Sequence, residues 1–226
     1  MQSRGQFITF EGIDGSGKTT QMRLLVRRLQ TQGRDVLEAV EPGGTAVGRQ
    51  IRRILLDAAN QDLLPTTELL LYFASRAQNV EQCIVPALAA GQIVVCDRFT
   101  DSSEAYQGGG RKIGSEPVLA LHRLLFGNLQ PDLTILMDSE VSASVERARR
   151  RNLARASDGS RAEHDENRFE QESRAFFGRV RETYLAIAAR EPQRVVVVDA
   201  RGAAEETHAR IVEIVRRKLK SAAKTA

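Results

Sequence analysis

The stretch Gly12-Ile13-Asp14-Gly15-Ser16-Gly17-Lys18-Thr19 constrains this chain more than any other. It satisfies G-x-x-x-x-G-K-[ST] in full, directly after the apolar run Phe7 to Glu11 and directly before an amphipathic segment. Glycines let the backbone bend around a phosphate with its N–H groups pointing inward, and the helix that follows adds partial positive charge. Lys18 is then expected to reach the β- and γ-phosphates and the Thr19 hydroxyl to bind Mg²⁺, with Gly12 through Thr20 surrounding the nucleotide. Taken alone, the motif means nucleoside triphosphate binding, a property of GTPases, transport ATPases, helicases and small-molecule kinases alike.

Five short apolar, β-branched runs punctuate the chain: Phe7 to Glu11, Val36 to Glu41, Ile93 to Asp97, Leu133 to Asp138 and Arg194 to Asp199. Between them helical spacing recurs over Thr20–Gln32, Ala46–Ala58, Thr67–Ala90, Glu116–Phe126, Val141–Leu153, Arg168–Ala189 and Ala204–Leu219. This alternation implies right-handed crossovers and a parallel sheet. The expected fold is α/β, a P-loop three-layer sandwich whose five-stranded parallel sheet is covered by helices on both faces. At 226 residues and 42% hydrophobic, the chain suits a single domain with a full core. Each strand candidate finishes on an acid, which either suits a turn or places chemistry at the carboxyl edge of the sheet.

The net charge is only +4, although the pI is about 9.4. That is too balanced for a surface devoted to nucleic acid, so none is expected as a partner. No apolar stretch approaches the ~20 residues of a membrane span, and no signal-peptide core precedes the first strand, so a soluble, cytoplasmic protein is expected. Two cysteines, Cys83 and Cys96, make no disulfide framework. From Arg149 to Asn167 the chain is polar and nearly devoid of large apolar groups, either a floppy surface loop or a mobile lid carrying arginines.

Negative evidence narrows the class: neither an N-K-x-D guanine-reading element nor an L-S-G-G-Q element is present. The third strand ends Val94-Val95-Cys96-Asp97-Arg98. Asp97 there is suited to hold Mg²⁺ or its water across from Thr19. Arg98 offers a fork of donors to a phosphate outside ATP, unless the two form a structural ion pair.

At this point the sequence resembles the thymidylate kinases, P-loop nucleoside-monophosphate kinases that make thymidine diphosphate. The resemblance spans roughly Phe7 to Leu219 and rests on separate blocks. These are Phe10 to Thr20, Glu41-Pro42-Gly43-Gly44-Thr45, Gly48 with Ile51-Arg52, Leu71 to Gln78, and Asp97-Arg98-Phe99 with Ser102-Ser103 and Ala105 to Arg111. It implies ATP and thymidine monophosphate (dTMP) as substrates, Mg²⁺ as cofactor and a homodimer. It further implies that Asp14 takes the sugar 3′-hydroxyl and that Arg98 grips the acceptor phosphate, with Arg52 near the same pocket. Phe73 would stack on thymine while Arg76 donates to a thymine carbonyl. In isolation that pair reads equally as a core Phe and a surface Arg. Ser103 and Gln107 would lie near the pyrimidine edge and Tyr106 under the deoxyribose.

The acceptor would itself be an anion, so two phosphates must be pressed together against their repulsion, and cations are the natural answer. Residue 15 is Gly, which resembles the branch of the family whose catalytic arginine comes from the lid, leaving Arg149, Arg151, Arg155 and Arg161 as candidates beside Lys18 and Arg98. Three features depart from the family pattern. Val40 stands where many relatives carry arginine, the lid segment is longer than in compact bacterial relatives, and Asn167 replaces a frequent acid. Two other readings remain open: a deoxynucleoside kinase, and a nucleic-acid-associated ATPase.

Overall fold

The β-branched runs become five parallel strands: β1 Phe7–Glu11, β2 Val36–Val40, β3 Ile93–Asp97, β4 Leu133–Asp138 and β5 Val195–Asp199. They lie in the order β2-β3-β1-β4-β5. The computed structural model describes the backbone of residues 4–157 and 168–225, and the side chains of 4–150, 168, 169 and 171–220. Helices connect the strands: α1 Lys18–Thr31, α2 Ala46–Leu56, α3 Pro65–Asn79, α4 Val85–Ala89, α5 Thr100–Ser103, α6 Ser115–Phe126, α7 Val141–Ser157, α8 Arg174–Arg190 and α9 Ala204–Thr225.

Side chains alternate across a strand, so the sheet sorts its residues by parity. Ile8, Phe10, Ile93, Val95, Ile135 and Met137 share one core with Met22 and Leu25 of α1 and Ile211 and Val215 of α9. Phe7, Val94 and Cys96 point the other way, onto Val80, Ile84 and Leu88. Leu136 meets Phe176, Phe177 and Val180 of α8. Phe10 and Val40 both lie in register with Asp97, so the carboxyl ends of β1, β2 and β3 finish at one level. Glu11, Glu41 and Asp97 therefore gather at one edge of the sheet.

The structure departs from the sequence expectation in four places. The helix expected over Thr67–Ala90 widens into a π-helical turn at Val80–Ile84 before α4. Pro86 has no N–H to return to the carbonyl of Gln82, and the looser turn accommodates its ring. The helix expected over Arg168–Ala189 divides into a 3₁₀ turn, Arg168–Gln171, and α8, because the Ser173 hydroxyl caps α8 by accepting from the Phe176 N–H at 3.1 Å.

A helical segment over Thr100–Gly110, α5 running into a π-helical turn, has no counterpart in the sequence periodicity. It is buried on every side, and packing rather than an apolar stripe holds it. A Cβ at Gly110 would stand 2.5 Å from the Phe176 ring. Finally, the polar segment from Arg149 is helical as far as Ser157. Its Arg, Ala and Leu content favours helix, and Glu146 pairs with Arg150 one turn on. The rest of the expected lid, residues 158–167, lies outside the described residues.

Candidate active site

The turn between β1 and α1 is shaped as the motif requires. Gly15 adopts φ +78°, and a Cβ there would stand 2.0 Å from the Ser144 carbonyl oxygen, so α7 leaves room for nothing but glycine. Arg147 of α7 donates from Nε to the Gly15 carbonyl at 2.9 Å. Lys18 is buried and donates from Nζ to the Ile13 carbonyl at 2.9 Å. Burial and then the charge of Arg98 bring its ammonium down to about 8. Ser16 Oγ, inside the turn, is buried without a partner among the described residues, as expected of a hydroxyl facing a ligand. The Thr19 hydroxyl donates to Asp97 Oδ2 at 2.6 Å.

Arg98, just past β3, is the hub of the site. It holds φ +73°, a left-handed conformation uncommon outside glycine. Its Nη2 donates to Asp14 Oδ1 at 2.7 Å and to the Tyr106 hydroxyl at 3.3 Å. Its Nη1 donates to the Gly12 carbonyl, Ser102 Oγ and the Tyr184 hydroxyl at 3.1, 3.0 and 3.2 Å. The guanidinium also lies 5.0 Å from the centre of the Tyr106 ring. Asp14 takes a second hydrogen bond from the Tyr106 hydroxyl at 3.0 Å. Burial alone would raise the Asp14 pKa, but the charges of Arg98 and Lys18 outweigh it and hold the carboxyl far below the usual range.

Beside this hub opens a cleft of about 460 Å³. Six of the side chains expected around an acceptor line it: Asp14, Arg52, Arg98, Ser103, Tyr106 and Gln107. Arg52 also donates to the Pro42 carbonyl at 3.1 Å, and Gln107 to Glu68 at 2.8 Å. Phe73 does not line the cleft. It is 2% exposed, in a core with Leu69 and Val118, and its ring is stacked with that of Phe126 at 6.1 Å. Its neighbour Tyr72 lines the cleft instead. On a helix, residue 72 is four before Arg76 and shares its face as readily as residue 73 does, so spacing could not choose between them.

Arg76 is fully buried behind the wall, giving Nε to Glu41 at 2.6 Å and Nη2 to Ser103 Oγ at 2.9 Å. Its Nη1 is buried with no partner among the described residues. Phe169 lines the cleft as well and meets the Tyr106 ring edge-on at 5.6 Å, a placement with no signal in the sequence. Of the lid candidates, Arg149 lies on the exposed face of α7. Arg151 and Arg155 lie on the α7 backbone with side chains outside the described residues, and Arg161 lies outside them altogether.

A glycine turn of phosphate-binding sequence beside an arginine-bearing cleft suits a kinase whose acceptor is a small anion, and comparison with known proteins selects which. The family model for thymidylate kinase matches residues 10–211. The chain belongs to the thymidylate kinase family. Similarity extends to a thymidylate kinase of Pelobacter propionicus, 52% identical over 208 residues that cover 92% of each chain. It extends also to one of Geobacter sp. strain M21, 49% identical over 97% of this chain and 95% of that one. A crystal structure of thymidylate kinase from Ehrlichia chaffeensis superposes with a TM-score of 0.74 at 30% identity, covering 94% of this chain and 99% of that one. Thymidylate kinase membership carries the activity, phosphorylation of dTMP to the diphosphate. Among the described residues, no helix is long and apolar enough to cross a membrane.

Proposed function

We propose that dTMP lies in the 460 Å³ cleft with its phosphate at Arg98, facing the γ-phosphate of an ATP held by Gly12–Thr20. The observation that carries this reading is the position of Arg98, which borders both the Gly12 carbonyl and the cleft. Both reacting groups are anions, so no strong general base is required. The protein's work is alignment and charge neutralisation. Asp14, already acting as an acceptor towards Tyr106, would take the sugar 3′-hydroxyl, and Tyr106 would pack under the deoxyribose. The unpartnered Nη1 of Arg76 is the donor left over for a pyrimidine carbonyl, beside Ser103 and Gln107.

Thr19 and Asp97 offer the hard oxygen donors that Mg²⁺ prefers, and the unpartnered Ser16 hydroxyl faces the same cradle. Mg²⁺ held by these residues would supply positive charge against that of the phosphates. A lid arginine from among Arg149, Arg151, Arg155 and Arg161 remains part of the proposal.

Tyr72 lines the cleft and Phe73 does not, which supports Tyr72 as the stacking ring and gives a paired prediction. Base–aromatic stacking is worth about 1–3 kcal/mol. Tyr72→Ala is therefore expected to raise the KM for dTMP roughly 5- to 150-fold while the melting temperature changes little. Phe73→Leu should lower the melting temperature and leave that KM alone. ADP-release kinetics with thermal melts decide it, and the reverse pattern would return the stacking role to Phe73. The same assay across a panel of nucleoside monophosphates tests the acceptor. Turnover with thymidine but not with dTMP would overturn the cleft assignment.

A homodimer and a cytoplasmic location belong to the same reading. Apolar side chains stand exposed on three neighbouring helices, Ile54 of α2, Leu70 of α3 and Leu124 of α6, and a second copy would cover them. Leu124, 79% exposed, is the natural probe. Sedimentation should give a dimer mass for the natural chain and a smaller one for Leu124→Glu. A monomer in both counts against the proposal.

A further inference from the structure

The last residue of β1, Glu11, takes no part in the scheme above, yet its carboxylate is wholly buried directly behind Arg98. Oε1 accepts from the Phe99 N–H at 2.7 Å, which fastens the residue following Arg98. Oε2 accepts from the Ser102 hydroxyl at 2.5 Å and from the Tyr184 hydroxyl at 2.9 Å. Those same two hydroxyl oxygens accept from Arg98 Nη1, and they stand 2.8 Å from each other.

Each hydroxyl has one proton. While Glu11 is ionised, both protons are drawn to its Oε2, and the lone pairs left over face the guanidinium. A protonated Glu11 offers a donor of its own and fewer acceptor sites. At least one hydroxyl must then turn from Oε2, towards Arg98 or towards the other hydroxyl, and the lone pairs that faced the guanidinium are displaced by or shared with a proton.

We propose that Glu11 is a positioning residue for acceptor binding, whose ionised carboxylate orients the Ser102 and Tyr184 hydroxyls so that they hold Arg98 towards the acceptor phosphate. The inference rests on the reading of Arg98 given above. Burial first, then the charge of Asp101, lift the Glu11 carboxyl to about 7, while Arg98, Ser102 and Tyr184 pull it back. The titratable and charged groups facing it are therefore Arg98 past β3, Asp101 of α5 and Tyr184 of α8, with Lys18 of α1 also within electrostatic reach. Asp101 is itself held by Arg194, at 2.7 Å. Above about pH 7 the carboxylate is ionised and the hydroxyls are set. Below it, the acceptor is held less firmly.

The test is the pH dependence of the KM for dTMP between about pH 6 and 9, in the natural protein, Glu11→Gln, Ser102→Ala with Tyr184→Phe, and Arg98→Lys. The acceptor's own second ionisation contributes equally to all of them and cancels in the ratio of variant to natural KM. Glu11→Gln is expected to raise KM roughly tenfold at pH 8.5 and by a much smaller factor at pH 6, with kcat reduced less than KM. The double hydroxyl variant, which keeps the carboxylate, should give the same pH-dependent ratio. A ratio constant across the range in a folded Glu11→Gln protein, with Arg98→Lys still raising KM, overturns the inference alone. Should Glu11→Gln not fold, a constant ratio in the double variant does the same. A normal KM in Arg98→Lys overturns the Arg98 reading and this inference with it.

Discussion

Lys18→Met is expected to lower kcat about 10³-fold while leaving the KM for dTMP within a few-fold of its natural value. The side chain is buried in the turn, where, among the described residues, its hydrogen bond goes to the Ile13 carbonyl. A triphosphate entering the cradle replaces that carbonyl with phosphate oxygens. The charge that then spreads over the moving phosphoryl group meets a fixed cation in a low-dielectric site. A preorganised donor of this kind is worth on the order of 10²–10³ in rate, close to 4 kcal/mol at the upper end. Met keeps the length and removes the charge.

The free protein's Lys18 titrates at about 8, so above that pH ATP must bring a proton in with it. Apparent ATP affinity should accordingly fall as pH rises past 8 and level off below. Calorimetry at about pH 9 in buffers of different ionisation heat should register uptake of about one proton, lost in the Met variant. A Lys18→Met protein with undiminished kcat would remove this lysine from the mechanism.

Glu68→Ala should carry the largest stability loss outside the hydrophobic core, about 3–5 kcal/mol. Glu68 sits on α3 with no exposure at all, and arginines from two other segments converge on it. Arg168 donates at 2.6 Å, Arg111 at 3.1 and 3.2 Å, and Gln107 adds a bond at 2.8 Å. Arg111 pairs in addition with Glu172, and Arg168 with the Leu55 carbonyl at 2.6 Å. Removing the one carboxylate leaves two guanidinium groups near each other, with Glu172 and the Leu55 carbonyl compensating only part of their desolvation.

For a chain of this size that corresponds to a melting temperature lower by roughly 6–20 °C. Because Gln107 and the neighbour of Arg168, Phe169, both line the cleft, the KM for dTMP should rise as well. A melting temperature within about 2 °C of the natural protein's would mean that the cluster contributes little. The lost carboxylate would then be replaced by water.

Glu68 illustrates what sequence reading does not reach. Its partners lie 39, 43 and 100 residues away, and nothing local marks an acid among leucines at the start of a helix as the keystone of a buried cluster. Tyr72 and Phe73 pose the same difficulty on a smaller scale. Both are aromatic, both fall within one turn of Arg76, and only the placement of α6 decides which is buried, by setting Phe126 against Phe73. Arg147 carries no local mark, because it precedes the polar stretch, although its guanidinium reaches the Gly15 carbonyl. The segment Thr100–Gly110 carries no helical stripe because it is buried on all sides, and periodicity reports only a boundary between core and solvent.

The five parallel strands, the glycine turn between the first strand and its helix, and the reaction class were legible from the chain alone. Each of these depends on residues adjacent in sequence: a glycine turn between a strand and a helix, β-branched runs, an acid followed by an arginine. What the tertiary structure decided was everything that depends on two distant segments meeting. That includes which aromatic faces the cleft, the carboxylates set behind Arg98 and between Arg111 and Arg168, and the pKa values that burial shifts. A side chain's character is written locally, but its solvent, its neighbours and hence its charge state are properties of the packed molecule.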